Sequence, residues 1–188
     1  EAASSFRSAS LPWSLKAEKS LRALKRMVID LTHCFTPDVE GAMSGENPYW
    51  LFPDASGFGI GAGLFQFSRA FVKAQGEKMP EYLKRLAEYF TSPKSDPAAI
   101  NAAAQEMRRA LLPIAFFSAT LSEGEMKWII WEKELYAVVR CRRAFPDLLN
   151  GMFVMIPTDH LNNLVIESPN VLKVPTKILR WFLELASA

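Results

Sequence analysis

Residues 49–67, with the sequence YWLFPDASGFGIGAGLFQF, constrain the fold of this chain more than any other segment. Two apolar runs flank a short polar turn, and this pattern predicts a β-hairpin with one strand near residues 49–54, a turn through Gly57 and a second strand near residues 60–67. In the second run, glycine occupies every other position of the stretch GIGAG, so one face of that strand lacks side chains. We expect another group to pack very closely against this face.

Length and composition narrow the class of protein. The 188 residues suit one domain with an appendage or one enlarged domain. A formal net charge of +2 is too small to indicate nucleic-acid binding by itself. Cys34 and Cys141 fit neither a disulfide framework nor zinc-ligand spacing, and we predict that both are buried thiols. No apolar run reaches the ~20 residues of a membrane span, so we predict no membrane partner.

The remaining elements follow from periodicity and turn chemistry. Residues 11–31 carry apolar positions at helical spacing, and residues 36–48 are rich in turn formers and predict a loop. Residues 68–111 predict two helices, the second with Asp96 as N-cap and Pro97 at its first position. Further along, the pattern predicts a buried strand at 111–121, a long helix opened by a capping box at Ser122–Glu125, a strand at 151–160, a short helix or turn at 161–168 and a closing helix at 175–188.

Three carboxylates stand out in this arrangement. Two predicted strands end on Asp54 and Asp159, and Glu134 has apolar neighbours at helical spacing in the long helix. Burying a lone carboxylate is costly, but several together can bind Mg²⁺ or Mn²⁺ through hard oxygen ligands. From spacing alone the alternatives stay open: Asp54 as a turn residue, Asp159 as a helix N-cap, and Glu134 reaching solvent or pairing with Arg140 or Lys127.

Four sequence blocks resemble the RNase H domain of reverse transcriptases from gypsy-like LTR retrotransposons. Residues 53–66 read PDASGFGIGAGLFQ, residues 113–139 read PIAFFSATLSEGEMKWIIWEKELYAVV, and residues 148–164 read LLNGMFVMIPTDHLNNL. Upstream, LPWSLKAEKSLRALKRMV resembles the helix that joins the polymerase part to the RNase H part in this family. The blocks occur in the order that the family has.

The resemblance implies a fold, an activity and a site. The fold is α/β (α+β), an RNase H-like mixed sheet with flanking helices, and the activity is hydrolysis of RNA in RNA–DNA hybrids with two divalent ions, Mg²⁺ or Mn²⁺. By motif, Asp54, Glu134 and Asp159 bind the ions and carry catalysis, so we expect them to converge on one side of the sheet. Ser56 and His160 would contact the substrate or support the metal ligands, although His160 could simply start a helix.

The chain also departs from the family pattern. The family continues to a fifth strand and a fourth carboxylate, so we expect this chain to lack the last strand and to hydrolyse hybrids weakly or not at all when alone. Pro53 and Pro157 stand beside two site positions, where proline is unusual in a central strand. The resemblance therefore leaves two functions open: a ribonuclease H-type enzyme, or a captured domain serving as a structural or RNA-contacting subunit.

The segment between the second and third strands is longer than in the family. Residues 68–111 hold eight basic and five acidic residues, and we expect a helical hairpin outside the core that contacts a protein partner, either there or at the open sheet edge. The alternative use of this segment is nucleic-acid contact through phosphates. We assign residues 1–46 to a tail and connecting helix, and residues 47–188 to the RNase H-like domain with its insertion at 68–111.

Overall fold

A computed structural model describes residues 14–31, 34–91, 97–157 and 175–186. The chain divides into two compact units, residues 1–33 and residues 34–188. The first unit contains helix α1, Leu15–Leu31, which confirms the predicted N-terminal helix. Ser14 begins it, since its Oγ accepts a hydrogen bond from the Ala17 N–H at 3.1 Å.

The second unit is built on a four-stranded mixed sheet in the order β3-β2-β1-β4. Its strands are β1 (Tyr49–Ala55), β2 (Gly59–Phe67), β3 (Leu111–Thr120) and β4 (Val154–Met155). The central β1–β2 and β2–β3 pairs are antiparallel, and β4 runs parallel to β1 beside Tyr49 and Trp50. The predicted hairpin is therefore confirmed, and the sheet is mixed as expected.

Helices flank this sheet on both faces. They are α2 (Val39–Ser44), α3 (Arg69–Gln75), α4 (Met79–Thr91), α5 (Pro97–Ala110), α6 (Ile130–Ala144), α7 (Pro146–Leu149) and α8 (Thr176–Ala186), with 3₁₀ turns at Gly76–Lys78 and Glu125–Lys127. Among the described residues, no helix is long and apolar enough to cross a bilayer. The predicted Asp96 N-cap and the segment 161–168 lie outside the described residues.

One face of the sheet packs against α6 and α8. Leu51 and Leu64 cluster with Val138 and Cys141 of α6, and further along the helix axis Leu135 clusters with residues of β2 and α8. Side chains alternate across a strand, so the residues at odd positions of β1 and even positions of β2 form this face.

The opposite face is covered by α4 and α5, and this corrects the expectation that residues 68–111 lie outside the core. Trp50 and Phe67 of the sheet form a buried cluster with Leu86 of α4 and Met107 of α5. The apolar stripes of the two helices bury the large aromatic side chains that β1 and β2 present to this face. Within the described residues, the segment 68–111 thus forms a second layer of the core.

Residues 34–47 pack with the sheet, so the division of the chain falls after residue 33 rather than after residue 46. The buried amide of Gln66 accepts a hydrogen bond from the Asp38 N–H at 2.7 Å and donates to the carbonyl oxygens of Asp38 and Asn47, both at 2.8 Å. Asp38 also caps α2, a short helix in the stretch predicted to be only loop. A buried glutamine in a strand needs such partners, and this segment supplies them.

The capping box at Ser122 and Glu125 is present, but the long helix starts later than predicted. The Ser122 N–H donates to Glu125 Oε2 at 2.7 Å, and the Glu125 N–H donates to Ser122 Oγ at 3.4 Å. This box closes the 3₁₀ turn Glu125–Lys127, after which Trp128 and Ile129 are extended. Helix α6 begins only at Ile130 because these two extended residues interrupt the helical hydrogen bonding.

The two cysteines differ, which corrects the prediction that both are buried. Cys141 is fully buried in the α6 core, and burial raises the pKa of its thiol to about 11. Cys34 is exposed.

Candidate functional site

Asp54 lies near the end of strand β1 and is exposed. It pairs with Gly61 of β2, and the preceding Pro53 pairs with Ala62. The pairing of β4 with β1 involves Tyr49 and Trp50, so it stops short of Pro53. Proline, which has no backbone N–H, is therefore tolerated at position 53, because the described part of β4 does not pair with this residue.

The turn after Asp54 is organised by Ser56. Its Oγ accepts hydrogen bonds from the N–H groups of Gly59 at 3.0 Å and Phe58 at 3.4 Å, and it lies 3.1 Å from the Gly59 carbonyl oxygen. The Leu121 N–H donates to the Phe58 carbonyl oxygen at 2.9 Å, which ties the turn to the end of β3. In this structure the Ser56 hydroxyl shapes the turn, and its predicted role beside the metal ligands or substrate stays a prediction.

The close packing expected beside the glycines of β2 occurs at Gly63. A Cβ at this position would lie 2.5 Å from Cε2 of the Phe65 ring, so the ring occupies the space that a side chain would need. Phe65 also makes edge-to-face contacts with Phe52 and Phe116. An aromatic cluster on the Asp54 side of the sheet therefore explains one of the three glycines.

Glu134 is half-buried in α6. It lies one helical turn before Val138 and two before Cys141, both of which pack in the cluster that contains Leu51. The next residue, Leu135, clusters with Ile60, which pairs with Ala55 at the end of β1. The first half of α6 therefore lies at the same end of the sheet as Asp54.

Side chains alternate between the two faces of the sheet along β1, and this places Asp54 on the face opposite to the one that α6, the helix of Glu134, covers. Asp54 shares its face with Trp50 and Phe52, which belong to the α4–α5 cluster, whereas α6 covers the other face. A shared site would have to form at the end of β1, since the sheet separates the two faces elsewhere. The expectation that the carboxylates lie on one side of the sheet is therefore not met by Asp54 and Glu134. Asp159 and His160 lie outside the described residues, so a site that joins the three carboxylates at the end of β1 stays a prediction.

The donor chemistry of Asp54 and Glu134 fits a hard divalent cation such as Mg²⁺ or Mn²⁺. Within residues 14–31, 34–91, 97–157 and 175–186, however, no group of three or more His, Cys, Asp or Glu side chains could hold a metal ion. Asp159, the further predicted ligand, lies outside the described residues.

Lys133 is a residue of this region that the sequence pattern did not single out. Its side chain is buried, and its Nζ donates to the carbonyl oxygens of Met126 at 2.9 Å and Gly57 at 3.3 Å. The signal that could have found it is a lysine within an apolar helical stretch, directly before Glu134. A buried ammonium group in such a stretch must have acceptors, and here they come from two separate segments.

The sheet order and the flanking helices define an RNase H-like fold, and comparison with known proteins supports this class. The family model described as the RNase H-like domain found in reverse transcriptase matches residues 94–187, half of the chain. The chain belongs to this family. The matched region contains Glu134 and Asp159, while Asp54 precedes it.

Among solved structures, the chain is similar to the foamy viral protease-reverse transcriptase dRH in complex with double-stranded DNA. The TM-score is 0.50 at 13% sequence identity, and the match covers 97% of this chain and 25% of that chain. At this identity the likeness shows the fold alone, and this chain spans about a quarter of that protein. No curated protein matches the sequence.

Proposed function

We propose that this chain is a nuclease domain from the reverse transcriptase of a gypsy-like LTR retrotransposon and that it hydrolyses the RNA strand of RNA–DNA hybrids. The observation that carries the proposal is the family match over residues 94–187, because this region includes two of the three motif carboxylates, Glu134 and Asp159. The third, Asp54, is exposed at the end of a central strand. An exposed carboxylate there is accessible to a bound phosphodiester.

In this proposal Asp54, Glu134 and Asp159 are the catalytic residues. Mg²⁺ or Mn²⁺ held by them would activate the attacking water and stabilise the leaving oxygen. Asp54 contributes from β1 and Glu134 from α6, two elements that pack at the same end of the sheet. Ser56 fixes the turn that follows Asp54, and so limits how far this carboxylate can move.

We propose an RNA–DNA hybrid or RNA as the nucleic-acid partner. The structural relative is a protease-reverse transcriptase in complex with double-stranded DNA, which supports a nucleic-acid ligand for this fold. For a protein partner, the sheet edge at β4 is better supported than the insertion, because the apolar stripes of α4 and α5 already pack on the sheet. An edge strand is where a strand of another chain can add to a sheet.

Single-turnover cleavage of a labelled RNA–DNA hybrid, with protein in excess and with Mg²⁺ or Mn²⁺, tests the proposed activity. Excess protein makes slow cleavage visible even if the isolated chain is weakly active. We expect Asp54→Asn, Glu134→Gln and Asp159→Asn each to lower the cleavage rate by at least about 100-fold, the low end of what a positioned catalytic group contributes. Asp147→Asn, at an exposed position of α7, is the matched control and should leave the rate unchanged.

Cleavage that persists in Asp54→Asn would show that the activity comes from elsewhere. Absence of cleavage by the unmodified chain under these conditions would contradict the proposed activity and would agree with the alternative of a captured, inactive domain. In that case, binding of the hybrid measured by fluorescence anisotropy separates an RNA-contacting subunit from a chain with no nucleic-acid role.

A further inference from the structure

The buried ammonium group of Lys133 connects two segments that are far apart in sequence. Lys133 is 6% exposed, and its Nζ lies 3.3 Å from the Gly57 carbonyl oxygen in the β1–β2 turn and 2.9 Å from the Met126 carbonyl oxygen ahead of α6. Burying a charged group is costly, and an apolar side chain of similar volume would fill the same space at lower cost. The two hydrogen bonds therefore indicate that the ammonium group of Lys133 has a specific structural role.

The turn that Lys133 contacts is fixed from other directions as well. Ser56 Oγ bonds the N–H groups of Phe58 and Gly59 within the turn, and the Leu121 N–H bonds the Phe58 carbonyl oxygen from the end of β3. Lys133 adds a bond from helix α6. The turn is thereby held relative to the helix as well as to the sheet.

We infer that Lys133 is a positioning residue whose bridge between Gly57 and Met126 sets the place of the β1–β2 turn relative to α6. Lys133 directly precedes Glu134, and Gly57 closely follows Asp54, so a short stretch of backbone joins the bridge to each carboxylate. The catalytic consequence rests on the function proposed above, whereas the bridge itself does not. A misplacement of about 1 Å at a reacting group can cost about 100-fold in rate.

Amide hydrogen exchange and cleavage kinetics on the full chain test this role. In Lys133→Met, which keeps the length and removes the donors, we expect faster exchange confined to the turn after Asp54, with the amides of β2 and β3 unchanged. The kcat for hybrid cleavage should fall about 10- to 100-fold while KM stays within about twofold, because positioning and not binding is lost. Lys133→Arg keeps the charge and the donors and should restore protection and most of the rate, and Lys84→Met, at an exposed position of α4, should behave like the unmodified chain.

Each outcome bears on the inference. Unchanged exchange in the turn of Lys133→Met would overturn the bridge, and altered exchange with unchanged kcat would overturn its catalytic consequence. If the unmodified chain cleaves no hybrid, the proposed function fails while the exchange data still decide whether the bridge holds the turn. If the methionine variant does not fold, Lys133→Gln, with a shorter arm and one amide donor group, must show the same localised loss of protection.

Discussion

At the scale of single residues, the capping box shows how one carboxylate is held by local geometry. Hydrogen bonding from the Ser122 backbone N–H is the largest influence on Glu125 and lowers the pKa of its carboxyl. In the unfolded chain this hydrogen bond is absent, so the carboxyl titrates near its ordinary value of 4.5. The box therefore stabilises the fold most when Glu125 is ionised.

This difference predicts a pH dependence with a definite sign. Because the folded-state pKa is the lower one, the stabilisation is complete above pH 4.5 and is lost as the pH falls through the folded-state pKa. Glu125→Gln should lower the free energy of unfolding by about 0.5–1 kcal/mol at pH 7, the range of a partly exposed cap. Urea denaturation at pH 7 and pH 3 should show the difference shrinking at the lower pH.

A matched exposed glutamate provides the control for that measurement. Glu88→Gln, on the solvent side of α4, should not change the free energy of unfolding at either pH. A Glu125→Gln penalty that stays the same at pH 3 would show that packing, not the ionised carboxylate, is responsible.

At the scale of elements, helices cover both faces of the sheet, and those on the second face, α4 and α5, come from the segment 68–111. Leu86 of α4 and Met107 of α5 are almost fully buried against Trp50 and Phe67. Without these helices, two large aromatic side chains of the sheet would face water. Helices α4 and α5 therefore contribute to the stability of the sheet.

Truncating a buried leucine of α4 should strongly lower the free energy of unfolding. We expect Leu86→Ala to lower the free energy of unfolding by about 2–5 kcal/mol, because it removes packed methyl groups and leaves a cavity. The same substitution at Leu183 of α8, which is 62% exposed, should cost less than about 0.5 kcal/mol. Equal effects of the two substitutions in urea denaturation would contradict the two-layer core.

At the scale of the whole molecule, the boundary between the two compact units predicts which residues are needed for a stable core. The three core clusters formed by described residues lie within residues 34–188. Residues 34–47 supply Ala42 to one of these clusters and supply the backbone partners of Gln66. A boundary after residue 46 would cut through these contacts.

Two truncated chains compare the boundaries directly. Residues 34–188 should unfold cooperatively with the urea midpoint of the full chain. Residues 48–188 should be less stable by at least about 2 kcal/mol, because the buried Gln66 amide loses its hydrogen-bond partners. Equal stability of the two fragments would place residues 34–47 outside the folded unit.

The sequence by itself determined the elements whose pattern is local. Alternation and turn residues predicted the hairpin around Asp54, helical spacing predicted α1, α4 and α8, and the motif blocks indicated the family to which the chain belongs. The capping box was also readable, because its two partners are three residues apart. Such features depend on interactions between near neighbours in the chain.

Only the tertiary structure decided which surfaces meet. Periodicity predicted apolar stripes on the helices of residues 68–111 but could not show that they cover Trp50. It also gave no reason to expect a hydrogen bond from Lys133 to Gly57, 76 positions away in the chain. The start of α6 at Ile130 and the burial of Cys141 but not Cys34 were likewise settled by packing. The physical reason is that burial and hydrogen-bond partnership belong to pairs of distant residues, whose approach is fixed by the fold as a whole and not by the local pattern.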